Sequence, residues 1–155
     1  MGGFERLNKV GSAMQQKNAQ MAATAAERET QRRELIITRA TKQVILDLSP
    51  EIERVVKEAI NSNGEAREIV VNISESVVVG WGWDPQTRWW VCMGKAHTPN
   101  QRAYEWNNQI FALLRRAEEE VGKDLTAFEI TLKYDWTVTL LNKTKHRVII
   151  KAKLR

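Results

Sequence analysis

Few side chains in this sequence have the types and spacing that covalent chemistry requires. Cys92 is the single cysteine. It sits within Arg88 to Met93, a run that reads as a strand with no base beside it, so a small buried hydrophobe suits it better than a nucleophile. His97 and His146 lie far apart, and neither has a cysteine or second histidine nearby, which argues against a zinc site. Asp84 opens an Asp-Pro turn, Asp135 alternates within a strand and is expected opposite Lys151, and Glu118, Glu119 and Glu120 form a solvated helix end. Gly80-Trp81-Gly82 falls inside an expected strand, and Gly94-Lys95 lacks the earlier glycine of a phosphate-cradling loop. No catalytic residue, metal ligand or cofactor is therefore assigned, and an enzyme is not expected.

The residues that could bind are more pointed. There are six tryptophans, and Trp81, Trp83, Trp89 and Trp90 flank one turn. Trp83, Trp89 and Trp90 are the candidates for an aromatic surface, on which nucleobases stack at about 1–3 kcal/mol each. The competing expectation is core, since Trp81 and Trp83 follow Val77 and Val79 on one side of a strand, and Trp106 and Trp136 lie on apolar stripes. From Asn142 to Arg155 the chain carries six Lys or Arg and no acid, against a whole-chain net charge of +5. Lys133, Arg147, Lys151, Lys153 and Arg155 would then face a polyanion or an acidic partner. The same lysines also suit a solvated face that resists edge aggregation.

A third candidate is the N-terminus. Residues 1–34 are rich in Ala, Gln and Met, and the larger apolar residues Phe4, Leu7, Val10, Met14 and Met21 are sparse. Leu7, Met14 and Met21 recur at seven, while Gly11 and Asn18 interrupt the neighbouring line. This reads as a helical arm that gains order from a partner or a second copy, because a lone helix of this kind is marginal in water.

The elements that must position these groups follow from periodicity. Residues 35–48 lean helical, and Ser49-Pro50-Glu51 reads as a helix start that ends at Asn63-Gly64. Strands are expected over 68–73, 76–83 and 88–93, then a helix opening at Thr98-Pro99 with an apolar stripe from Ala103 to Val121. Glu129 to Arg155 reads as a hairpin. Its even positions, among them Ile130, Leu132, Tyr134, Trp136, Val148 and Ile150, are apolar, and its odd positions are mostly polar. A three-residue loop, 142–144, would keep both apolar faces on one side, with Lys133 and Lys153 facing each other.

The expected fold is α+β: an antiparallel sheet of about five strands in the order α-β-β-β-α-β-β, covered on one face by helices. Two parts are expected, the arm 1–34 and a single domain 35–155. This element order is similar to that of secretion-chaperone-like folds. Its first five elements also resemble a double-stranded-RNA-binding domain, a module whose second helix starts Lys-rich; here that helix begins Thr98-Pro99-Asn100-Gln101-Arg102.

Composition sets the outer bounds. The chain has 155 residues, 43% hydrophobic and 28% charged, which is globular rather than disordered. No apolar run is long enough to span a bilayer, no secretory leader is legible, and one cysteine fits a reducing cytoplasmic setting. The sequence thus points to a protein-binding module, an adaptor, chaperone or assembly subunit, with a protein partner or homo-oligomer. Nucleic-acid binding by the basic hairpin is the alternative.

Overall fold

The computed structural model describes residues 2–84, 89–90, 99–141 and 144–155, with side chains described except at 84, 89–90, 99–109, 136, 138 and 144. The elements are α1 (Gly2–Asn61), β1 (Arg67–Ile73), α2 (Glu75–Gly80), β2 (Trp83–Asp84), β3 (Trp89–Trp90), α3 (Pro99–Asp124), β4 (Phe128–Val138) and β5 (Thr144–Leu154). The chain divides into two compact units, Met1–Ile36 and Ile37–Arg155.

The first unit is helix alone. Glu29 braces it by accepting hydrogen bonds from Arg32 at 2.8 Å and Arg33 at 3.2 Å, the i+3 and i+4 neighbours on the helix surface. The Arg32 hydrogen bond leads in holding the Glu29 carboxyl down at about 2.

The second unit is α+β. Its sheet is three-stranded and antiparallel in the order β1-β5-β4, and β2 and β3 form a separate two-residue ladder. The expected sheet of about five strands is corrected accordingly. The main reason lies at residues 76–83, which were expected to form a strand. Residues 75–80 are instead helix α2, with acidic Glu75 in its first turn and Val78 fully buried. Val79 is left 42% exposed, so the Val77/Val79 alternation does not mark a buried face. A run of three valines fits a short buried helix as well as a strand, and only packing decides between them. This helix also breaks the element order on which both resemblances rested. The expected turn at 85–87 and the return of the chain beyond Trp90, including Cys92 and His97, lie outside the described residues.

Pro50 does not start a helix; it lies inside α1. The Ser49 hydroxyl donates to the Ile45 carbonyl at 2.6 Å rather than capping a new helix. Val44, Leu48, Ile52 and Val55 form one buried stripe that runs past the proline. That packing outweighs the roughly 3 kcal/mol that an interior proline costs a helix. The helix closes where the sequence indicated. Asn63 and Gly64 take left-handed φ values of 57° and 84°, and the Gly64 N–H donates to the Ala59 carbonyl at 2.8 Å.

The β4–β5 hairpin has the expected faces but another register. Asp135 lies opposite Arg147, not Lys151, and Lys133 lies opposite Ile149, not Lys153. The last pair is Val138 and Thr144, so the connection is 139–143 rather than 142–144. Leu140 and Leu141, at 107% and 80% exposure, belong to it. The shift is by an even number of residues, so the apolar faces stay together. Ile130, Leu132, Tyr134, Val148, Ile150 and Ala152 are all buried. Against them stand Ile110, Leu113, Leu114, Ala117 and Val121 of α3, also buried on one stripe. β4 is an edge strand, and the Glu118 carboxylate of α3 accepts the Leu132 N–H at 3.2 Å, which blunts that edge.

Candidate functional site

Three surfaces bear on function. The first is the arm. Every residue from Gly2 to Arg32 is exposed. Phe4, Leu7, Val10, Met14 and Met21 keep 58–71% of their surface in solvent. At 3.6 residues per turn, Leu7, Val10, Met14 and Met21 fall within an arc of about 60°, with Phe4 about 60° beyond Leu7. Gly11 and Asn18 fall between Leu7 and Phe4 around the helix, so they leave the gap that separates Phe4 from the other four.

The second surface is the outer face of the sheet. Lys133, Lys151, Lys153 and Arg155 are exposed and Arg147 is half-buried. The structure interleaves them with acids. Glu68 of β1 is opposite Lys151, Glu129 is opposite Lys153, and Arg147 forms an ion pair with Asp135. Arg155 closes the open end of the hairpin, donating from its guanidinium to the Phe128 carbonyl at 3.1 Å. Val70 and Ile149 lie side by side in the middle of this face. Carboxylates from neighbouring strands therefore stand opposite three of the six bases between Asn142 and Arg155, namely Arg147, Lys151 and Lys153.

The third is the tryptophan cluster. Trp81 and Trp83 are buried at 1% and 2% exposure. Trp83 is therefore withdrawn from the aromatic surface, and the side chains of Trp89 and Trp90 lie outside the described residues. Trp81 Nε1–H donates to the Asp47 carboxylate at 2.7 Å, tying the second unit's stretch of α1 to the loop after α2. The Trp83 ring stands edge-on to His146 with centroids 4.8 Å apart. Tyr134 Oη hydrogen-bonds His146 Nδ1. Burial pushes the Tyr134 phenol well above its ordinary value and lowers His146 to about 4. At neutral pH the imidazole is uncharged and the phenol keeps its proton. His146, which sequence reasoning treated as an isolated histidine, is thus a core residue; its even position on the apolar face of β5 was the signal.

Among the described residues, no group of three or more His, Cys, Asp or Glu could hold a metal ion. No helix among them is long and apolar enough to cross a membrane. No family model matches the chain, and no curated protein or solved structure matches it either.

Proposed function

We propose that this chain is a non-enzymatic protein-binding module, an adaptor, chaperone or assembly subunit, that engages a protein partner or a second copy through its N-terminal arm. One observation carries the reading. Phe4, Leu7, Val10, Met14 and Met21 form an apolar stripe on a helix whose residues from Gly2 to Arg32 are all exposed. A helix lacking a core of its own owes little stability to propensity and most to packing, so such a stripe calls for another molecule. Helix-in-groove recognition uses anchors at this kind of spacing. The arm acts as the ligand and the α+β unit as the body that carries it.

Polyanion binding by the outer sheet face is the lesser reading. Exposed Lys133, Lys151 and Lys153 favour it, but Glu68, Glu129 and Asp135 on the same face reduce the positive field that a phosphate backbone needs. The test of the main reading is deletion of residues 2–33. Self-association by light scattering and partner capture in pull-down should both be lost, while the second unit stays folded. Both unchanged by the deletion would reject it.

A further inference from the structure

We infer that an acid-rimmed groove on the second unit receives the N-terminal arm of a second copy of this chain, an assignment that rests on the binding role of the arm. The groove lies between the C-terminal stretch of α1 and the end of α3, with a volume of about 410 Å³. Ile45, Ile52 and Val56 supply one apolar wall and Leu125 the other, and Glu53 and Asp124 are the charged residues among its lining. Among the described residues, neither lysine nor arginine lines it. Both carboxylates are exposed. The site is thus apolar at its base and anionic at its rim.

The arm is its complement. Its stripe of Leu7, Val10, Met14 and Met21 is bordered along one side by Arg6 and Lys17, whose helical angles fall just outside the apolar arc. The uncharged Gly11 and Asn18 border the other side, and Glu5 points to the opposite face. Apolar anchors entering the groove bring Arg6 and Lys17 toward an acidic rim rather than a basic one. Charge complementarity of this kind selects the partner and its orientation more than it sets raw affinity. The two surfaces differ from each other and sit on one chain. The contact is therefore heterologous, and it closes into a dimer only if two copies exchange arms reciprocally.

A charge-swap cycle on the full chain tests this, read by sedimentation equilibrium at low and high salt. Glu53→Lys with Asp124→Lys should weaken self-association roughly tenfold, and Arg6→Glu with Lys17→Glu should do the same. All four changes together should restore it to within about threefold, because the swapped charges meet again. All four residues are exposed, so the changes leave the core intact, and circular dichroism of each variant verifies this. Additive weakening in the combined variant overturns the proposal. So does a full chain that stays monomeric at about 100 μM, near a Kd that marks only weak association. If deletion of residues 2–33 abolishes self-association while the groove reversals leave it unchanged, the arm pairs with another arm or another site. The groove assignment then falls and the binding role of the arm stands. If the deletion also changes nothing, both fall.

Discussion

His146 makes the stability of this protein depend on pH in a way that follows from its surroundings. The ring is 2% exposed, edge-on to Trp83 and hydrogen-bonded to Tyr134, and burial lowers its pKa from 6.5 to about 4. Between those two values the unfolded chain binds a proton that the folded chain refuses, so stability rises with pH there. The contribution is fully present above pH 6.5 and is lost as pH falls toward 4. From pH 7 to pH 5 the loss is about 2 kcal/mol, worked from the two pKa values by linkage. The assay is urea unfolding at pH 5, 6 and 7 for the natural chain and for His146→Phe. The natural chain should lose about 2 kcal/mol more than the variant. Equal pH slopes in the two proteins would refute the reasoning, as would an imidazole NMR titration of His146 with a midpoint near 6.5.

Other consequences follow from single contacts. Gly64→Ala should destabilise by more than about 1 kcal/mol in urea unfolding, because φ is +84° there and a Cβ would lie 2.7 Å from Leu154. Trp81→Phe removes the hydrogen bond to Asp47 and should cost about 1–2 kcal/mol, with little further loss on adding Asp47→Asn. Lys151→Glu with Lys153→Glu places like charges opposite Glu68 and Glu129; a fall in unfolding midpoint at low salt that high salt relieves is the expected result. The same double variant decides the polyanion reading. A natural chain that shifts oligonucleotides at low salt, with the shift lost in the variant, would support it.

Those contacts also show which features were legible in the chain. The apolar face of the hairpin was, because Ile130, Leu132, Tyr134, Val148 and Ile150 alternate without interruption and all of them are buried. So were the α3 stripe from Ile110 to Val121 and the helix stop at Asn63-Gly64, where one backbone conformation accounts for the residue types. What was missed depends on tertiary context. Residues 75–80 form a helix because Val78 packs inside, a fact no local pattern of valines contains. Pro50 carries every mark of a helix start, yet the buried stripe on either side of it keeps α1 continuous. The hairpin register depends on a connection whose two leucines look like strand residues but sit in solvent. Charge on the outer face is more mixed than the chain order shows, for a related reason. A count along β5 sees only cations, whereas Glu68 and Glu129 arrive from other strands. The aromatic surface lost Trp83 because Gly82, at φ 108°, lets the chain turn after α2 and carry the indole inward.

The claim that governs the rest is that residues 2–36 are a helix whose apolar stripe awaits another molecule. Hydrogen exchange read by mass spectrometry tests it most directly, on the full chain diluted until sedimentation shows monomer and again in its associated form. The arm amides should exchange within about tenfold of unstructured rates in the monomer, as a lone marginal helix does, and slow strongly on association, while β4 and β5 stay protected in both. Arm amides as protected in the dilute monomer as those of β5, with no change on association, would contradict the account.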